Sequence, residues 1–179
     1  MKILVVYGTK YGSTAAVADD LAAKLRNRGA EVDVFDIKTG NGLEQSSYDH
    51  IVLGSSIFVG SWTKEMQDFI AQNNQELNRT PLSYFVCCGD MIFGRSDIED
   101  CHQRYVIDAI HRMGLADPAT SAVLGGFFDF SRYGLLVKAV LQARGLPRDM
   151  RQNGIDISKP YDFRDWAGVE KLAESIMKY

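Results

Sequence analysis

The chain of 179 residues has 46% hydrophobic and 24% charged residues, a balance typical of a folded globular domain and not of a disordered segment. A formal net charge of -3 argues against a general nucleic-acid-binding protein, which would normally be basic. Three cysteines, two of them adjacent, do not form the paired framework of a secreted disulfide-rich domain, and no apolar run approaches the roughly 20 residues of a membrane-spanning helix.

Strand-like and helix-like segments alternate along the chain, which predicts an α/β fold with a parallel sheet and helices on both faces. Apolar, β-branched runs predict five strands, at 2–7, 31–37, 51–56, 82–88 and 121–127. Helical spacing of apolar residues predicts helices at 13–28, 63–77, 98–113 and 165–177. This order fits a doubly wound sheet with strand order 2-1-3-4-5. With no repeat, linker or signal peptide recognisable, we expect one cytoplasmic domain over residues 1–179.

Residues 129–164 form an insertion after the fifth predicted strand that is too long for an ordinary connection. It contains a predicted apolar helix at 133–144, followed by a polar segment with glycines and prolines. Between 132 and 151, Asp149 is the single acid among five basic residues, Arg132, Lys138, Arg144, Arg148 and Arg151. Such a segment suits an anionic membrane surface or partner, and it equally suits a helix packed on the core with a solvated basic edge.

The loop after the first strand runs directly into a helix and has the composition of a phosphate site. A helix N-terminus presents unpaired N–H groups and a partial positive charge to an anion. Neither the Walker A nor the G-x-G-x-x-G spacing is present, which excludes those two nucleotide motifs. The alternative is an ordinary loop with Ser13 as the N-cap of the helix. The candidate phosphate-binding residues are Thr9, Lys10, Tyr11, Gly12, Ser13 and Thr14.

The pattern Thr9-x-x-Gly12-x-Thr14 resembles the phosphate motif of the flavodoxins. It departs from that motif at Tyr11, where a threonine usually stands, which removes one side-chain contact but leaves the backbone cradle. The resemblance extends to the order of the elements along the whole chain. It implies a flavodoxin-like fold that binds FMN and transfers electrons.

In a doubly wound fold, ligands lie at the carboxyl ends of the strands, so the loops after the third and fourth strands complete the predicted FMN site. Gly89-Asp90-x-x-Phe93 resembles the Gly-Asp-x-x-Tyr of flavodoxins, whereas Ile57 stands where flavodoxins often have tryptophan. Either Phe58 or Trp62 could then cover the ring. Asp90 is either a turn residue or a negative charge that lowers the flavin potential. The candidate residues of these loops are Ser56, Ile57, Phe58, Val59, Gly60, Cys88, Gly89, Asp90 and Phe93.

The cysteines and histidines predict neither a redox-active thiol pair nor a metal site. Cys87 and Cys88 are adjacent on a predicted strand, so their side chains should point to opposite faces of the sheet. The C-x-x-C spacing is absent, which favours buried structural thiols. The three histidines have no metal-ligand spacing with the cysteines, and we predict no metal.

The chain is also similar to one branch of the flavodoxin superfamily, the menaquinone-dependent protoporphyrinogen oxidases. The resemblance implies FMN, a quinone acceptor and a peripheral membrane contact, which we place at 132–151. The carboxylates of a tetrapyrrole could pair with Arg132, Arg148 or Arg151. The third loop departs from this branch, since Gly89-Asp90-x-x-Phe93 is closer to an ordinary flavodoxin. The similar features are Gly54-x-Ser56-Ile57 with Gly60, Ala122-Val123-x-Gly125, Arg132-Tyr133, Asp149-x-Arg151 and Asp165-Trp166.

Three functions therefore stay open from the sequence. The first is an FMN-dependent oxidoreductase that oxidises protoporphyrinogen with a quinone acceptor. The second is a flavodoxin-type electron carrier without its own small-molecule substrate, which meets protein partners through acids such as Asp97, Glu99 and Asp100. The third is a flavin-free binding or signalling module. We predict no catalytic acid or base, because a bound flavin would do the chemistry itself.

Overall fold

The structure, a computed structural model, describes residues 1–40, 48–90, 96–143 and 145–179. Strands and helices alternate along most of these ranges. In chain order the elements are β1 (Lys2–Gly8), α1 (Ser13–Asn27), β2 (Glu31–Asp36), β3 (His50–Phe58), β4 (Ser61–Trp62), α2 (Lys64–Leu77), β5 (Leu82–Cys87), α3 (Ile98–His102), a π-helical turn (Gln103–Ile107), α4 (Asp108–Arg112), β6 (Thr120–Leu124), β7 (Phe127–Phe128), a 3₁₀ turn (Phe130–Arg132), α5 (Leu135–Ala143), α6 (Leu146–Gln152), β8 (Tyr161–Asp162) and α7 (Trp166–Ile176).

Five of the strands form a parallel sheet in the order β2-β1-β3-β5-β6. The short strand β4 pairs antiparallel with β3 and is not one of these five strands. When β4 is left out of the numbering, the observed order is 2-1-3-4-5, which confirms the predicted flavodoxin-like order. In the middle of the sheet, Val5 lies between Val34 of β2 and Val52 of β3. The central strands are apolar on both sides because helices cover both faces.

The helices create two apolar cores, one on each face of the sheet. On one face, α1 and α7 pack with residues such as Leu21, Leu25 and Leu172. On the other face, α2 and the helical stretch α3–α4 contribute residues such as Ile70 and Ile110. All five side chains are almost fully buried. The sheet therefore has no face free for a ligand, which leaves the strand ends as the place for a site.

The insertion is more ordered than its sequence predicts. Besides α5, which matches the predicted helix at 133–144, it contains the helix α6 and the two-stranded ribbon β7–β8; Arg144 lies outside the described residues. We predicted a polar segment in place of α6, although Pro147 in its first turn is compatible with a helix start. Phe128, Leu146 and Met150 form a separate small core for this region. None of the described helices is long and apolar enough to cross a membrane.

Two element boundaries differ from the prediction. The fifth strand of the sheet ends at Leu124, not at residue 127, because the chain there passes close to the backbone of Phe163, directly after β8: a Cβ on Gly125 would lie 1.7 Å from the Phe163 carbonyl oxygen. The predicted helix at 98–113 is interrupted by the π-helical turn, in which the Asp108 N–H donates to the Gln103 carbonyl five residues back. The first departure depends on a contact between distant segments, which local periodicity does not report.

His50 makes the stability of the fold dependent on pH. Its Nε2 lies 2.7 Å from Ser83 Oγ, its Nδ1 has no partner, and burial lowers its pKa. Unfolded histidine titrates near 6.5, so the unfolded state binds the proton first as the pH falls. The free energy of unfolding should therefore decrease below about pH 6.5, by at most about 1.4 kcal/mol per pH unit.

Chemical denaturation near pH 7.5 and pH 5.5 measures this effect of His50. Compared with the wild type, His50→Gln should lose less stability between the two pH values, because glutamine does not titrate. His111→Gln is the matched control, since His111 is exposed and pairs with Asp117 at 2.8 Å. An unchanged loss in His50→Gln would contradict the assignment.

Candidate functional site

A cavity of about 680 Å³ lies at the carboxyl ends of β1, β3 and β5, the edge where doubly wound folds bind ligands. The loops after these three strands form one side of it, and the insertion forms the other. The structure thus brings together residues from all three predicted loops. The predicted residues that line the cavity are Thr9, Lys10, Tyr11, Ser13, Ser56, Ile57, Phe58, Val59, Gly60, Gly89 and Asp90.

The first loop closes on itself at the start of α1. Gly12 adopts a left-handed conformation with φ of 89°, which only glycine adopts without strain, and its N–H donates to Thr9 Oγ1 at 3.0 Å. Gly12 is the N-cap of α1, so the alternative that Ser13 caps the helix is wrong. Ser13 Oγ instead accepts a hydrogen bond from the Phe127 N–H at 3.0 Å. The insertion is therefore attached directly to this loop.

The start of α1 has donors to offer to an anion. The N–H of Ala16 donates to the Gly12 carbonyl at 3.3 Å, which is the first backbone hydrogen bond of the helix. The amides of residues 13–15 therefore come before the first residue that donates within the helix. The Thr14 side chain is fully buried, yet within the described part of the chain its Oγ1 has no hydrogen-bond partner. A buried hydroxyl without a partner costs about 1–3 kcal/mol. Neither Gly12 nor Thr14 is among the wall residues of the cavity in the described ranges, so the fit depends on the start of α1 itself: its amides and the Thr14 hydroxyl are the donors that a phosphate group needs.

The second loop is a strained two-residue turn between β3 and β4. Phe58 pairs with Ser61, and the two residues between them, Val59 and Gly60, both have positive φ, at 53° and 83°. Positive φ at a β-branched residue is an outlier that costs on the order of 1–3 kcal/mol and is found mainly at binding sites. Ser56, two residues before Phe58 in β3, has a buried Oγ without a hydrogen-bond partner among the described residues. This loop thus combines backbone strain with an unsatisfied polar atom.

Aromatic rings join the first loop to the second loop and to the insertion. The ring centroids of Tyr11 and Tyr133 are 4.7 Å apart, and those of Tyr11 and Phe58 are 6.4 Å apart. Lys10 Nζ lies 3.4 Å from the centroid of the Phe58 ring. Trp62, in contrast, is buried in the core, where its Nε1 donates to the Tyr105 carbonyl at 2.6 Å. Of the two aromatic residues considered for the second loop, the structure places Phe58 at the cavity.

The third loop requires a correction. We predicted Cys88 as a site residue, but its side chain is buried in the core on the face that α2 and α3–α4 cover, next to Cys101 of α3, and its N–H donates to the Leu124 carbonyl at 2.9 Å. Cys87 lines the cavity instead, since neighbouring strand residues point to opposite faces. Burial raises the pKa of Cys87 to about 12, so its thiol stays protonated. Phe93 lies outside the described residues.

Two groups of cavity residues were missed by sequence reasoning. Arg104 and Tyr105 line the wall beside Asp90, and no local pattern marks them, because the π-helical turn brings them there. The insertion supplies the second group. The high apolar content of residues 127–141 was a sequence signal that could have identified this group. Its members at the cavity are Gly126, Phe127, Phe128, Tyr133, Leu136, Val137, Val140, Leu141 and Leu146.

The cations of the cavity are not those that we expected from the insertion. Lys10 and Arg104 line it, whereas Arg132 pairs with Asp129 at 3.1 Å. In the described ranges, neither Arg148 nor Arg151 contributes to the cavity wall. Within the same ranges, no group of three or more His, Cys, Asp or Glu side chains is arranged to hold a metal ion.

Known proteins with a similar sequence or fold include two dehydrogenases and a flavodoxin. Protoporphyrinogen IX dehydrogenase (quinone) of Escherichia coli strain K12 is 22% identical over 185 residues, which cover 98% of this chain and 94% of that protein. The protein of the same name from Leishmania major is 25% identical over 178 residues, which cover 98% of this chain and 74% of that protein. A flavodoxin of Streptococcus pneumoniae TIGR4 has a similar fold, with a TM-score of 0.58, 18% identity and 99% coverage of both chains.

A family model for the flavodoxin domain matches residues 4–144, which include most of β1, all of β2 to β6 and all three loops of the cavity. The chain therefore belongs to the flavodoxin domain family.

Proposed function

We propose that residues 1–179 form one domain that binds FMN in this cavity and acts as an oxidoreductase on a porphyrinogen, with a quinone as electron acceptor. The observation that carries the proposal is the cavity itself, because an anion-binding helix start and a broad apolar wall meet at one strand edge. The printed names of the E. coli and Leishmania relatives support the substrate and the acceptor.

The start of α1 would hold the phosphate of FMN. The amides of residues 13–15 and the hydroxyl of Thr14 are free to donate to it. The hydroxyls of Thr9 and Ser13 accept one hydrogen bond each in the structure, and a hydroxyl that accepts a hydrogen bond can also donate its own proton. The first loop therefore offers both backbone and side-chain donors in one place.

The second and third loops would hold the ring system. Phe58 and Tyr11 supply apolar surface, and the backbone of Ser56–Gly60 and Gly89–Asp90 supplies polar groups for the ring edge. Bound FMN supplies the two-electron redox chemistry. The chain's own residues bind and orient the reactants and exclude water with the apolar side chains of α5.

The insertion would form the substrate side of the site. Leu136, Val137 and Val140 of α5 provide an apolar wall suited to a flat hydrophobic macrocycle. Arg104 lines the same cavity, so it is the candidate partner for a substrate carboxylate, which a guanidinium binds with two parallel hydrogen bonds.

The function is tested with purified protein and added FMN. We expect a flavin spectrum that stays with the protein through gel filtration, and oxidation of protoporphyrinogen that requires menadione. Protein that takes up FMN but does not oxidise the porphyrinogen would favour the second candidate, an electron carrier. The exposed acids Asp97, Glu99 and Asp100, which follow the cavity residue Ser96 in sequence, are the observation that favours such a carrier. Protein that cannot bind FMN contradicts both.

The exposed start of α5 supports a peripheral contact with an anionic membrane, where a lipid-soluble quinone is available. Leu135 and Leu136 are 88% and 80% exposed, an unusual surface for two leucines in a short helix, and Leu136 also lines the cavity, so this apolar surface continues into the cavity. Lys138 lies on the same helix, and Arg148 and Arg151 lie on α6. Apolar residues flanked by basic ones are what an interfacial helix presents to acidic lipids.

Replacing Leu135 with glutamate is expected to weaken binding to vesicles of acidic phospholipid about tenfold, since burying one leucine contributes about 1.5–3 kcal/mol. Stability should not change, because this side chain is exposed. The control is Ile98→Glu, which makes the same kind of change at an exposed apolar residue of α3. Co-sedimentation measures both variants, and an equal loss in the two would argue against a specific membrane contact of α5.

A further inference from the structure

The wall of the cavity opposite the insertion is shaped by the π-helical turn. The turn places Arg104 and Tyr105 together at the cavity, and π-helical turns are found mainly at functional sites. The Tyr105 carbonyl accepts the hydrogen bond from Trp62 Nε1 at 2.6 Å, and Trp62 is itself buried. The position of Tyr105 is therefore determined by the core of the protein.

The Tyr105 hydroxyl uses this fixed position to donate a hydrogen bond to Asp90 Oδ2. Tyr105 is only 3% exposed, and burial together with this hydrogen bond raises its pKa to about 12, so the proton stays on the tyrosine. The Asp90 N–H donates to Cys88 Sγ at 3.4 Å, which holds the backbone of Asp90 as well. A carboxylate at the cavity wall is thus held by contacts at both its side chain and its backbone.

We propose that Tyr105 is a positioning residue that holds Asp90 at the cavity wall and thereby sets the redox potential of the bound flavin, an inference that rests on the proposed FMN binding. A negative charge at the cavity disfavours the added electron density of reduced flavin. The hydrogen bond from Tyr105 withdraws charge from the carboxylate and restricts its position. Without this hydrogen bond, the carboxylate opposes reduction of the flavin more strongly.

The expected result is that Tyr105→Phe weakens binding of reduced FMN relative to oxidised FMN about tenfold, a shift of about 30 mV for a two-electron couple. Asp90→Asn should have the opposite effect and strengthen binding of reduced FMN relative to oxidised FMN. In the Asp90→Asn background, Tyr105→Phe should have no further effect, because the charge through which it acts is gone. Tyr84→Phe is the control. Tyr84 is also a buried tyrosine, but it does not line the cavity, and its hydroxyl donates to the Ala116 carbonyl at a distance of 2.7 Å.

The experiment measures midpoint potentials by equilibration with a reference dye, and the affinity for oxidised FMN by fluorescence quenching. A shift that is present in the wild-type background and absent in the Asp90→Asn background supports the proposal. An equal shift in both backgrounds, or no shift in either, overturns it while leaving the proposed function intact. A wild-type protein that does not take up FMN would overturn both.

Discussion

Replacing Gly125 with alanine is expected to destabilise the protein by about 3 kcal/mol or more, the upper part of the range for overpacking. The added Cβ would lie 1.7 Å from the Phe163 carbonyl oxygen and 2.7 Å from the Phe163 carbonyl carbon. These are backbone atoms, so no side-chain rotation relieves the clash. Because Gly125 joins β6 to the ribbon β7–β8, the insertion should move away from the cavity, and FMN binding should weaken as well.

Urea denaturation and FMN titration measure the two effects of Gly125→Ala. Gly134→Ala is the matched control, because a Cβ at Gly134 meets no atom within 4 Å and Gly134 also lies in the insertion. The control should change stability by less than about 0.5 kcal/mol. A Gly125→Ala variant as stable as this control would show that Gly125 does not lie as close to the Phe163 backbone as described.

Replacing Thr14 with valine is expected to have opposite effects on the FMN-free and FMN-bound protein. Valine removes a buried hydroxyl that has no partner, so the FMN-free protein should gain about 1 kcal/mol. The same change removes a donor to the phosphate, and hydrogen bonds to charged groups contribute about 1.5–3 kcal/mol. The affinity for FMN should therefore fall about 30-fold.

The opposite signs distinguish a ligand contact of Thr14 from a purely structural role. Thr63→Val is the control, because the Thr63 hydroxyl already accepts the Met66 N–H at the start of α2. This control should lose about 1 kcal/mol of stability and keep its affinity for FMN. Thermal denaturation and fluorescence titration report both quantities. If Thr14→Val binds FMN as tightly as the wild type, the Thr14 hydroxyl does not contact the phosphate.

Much of the fold could be predicted because its strands and helices follow from patterns over a few neighbouring residues. The strand β1 is a short, continuous apolar run, which is typical of a parallel strand covered on both faces, and α1 follows it with helical spacing up to Gly29. The order of such segments restricts the topology, since parallel strands need right-handed crossovers. The helix α6 was missed because glycine and proline near its start suggested a loop.

Wall residues of the cavity were predicted only where one loop carried several signals. Thr9, Tyr11 and Ser13 belong to a recognisable pattern after β1 and line the cavity, whereas Gly12 and Thr14 of the same pattern are not among its wall residues in the described ranges. The second and third loops are placed at the same edge by the topology. Cys88 was assigned to the cavity in place of Cys87, because which face of β5 borders the cavity depends on packing. The wall residues Arg104 and Tyr105 are distant in sequence from every predicted motif.

The amino-acid sequence by itself determined the alternation of strands and helices, the strand order and the helix start that can hold a phosphate, since these follow from periodicity and backbone geometry over a few residues. Only the tertiary structure decided that the insertion closes the cavity, that Phe58 and not Trp62 faces it, and that Tyr105 holds Asp90. Such contacts join segments far apart in the chain, and they exist only once the core has fixed where those segments lie.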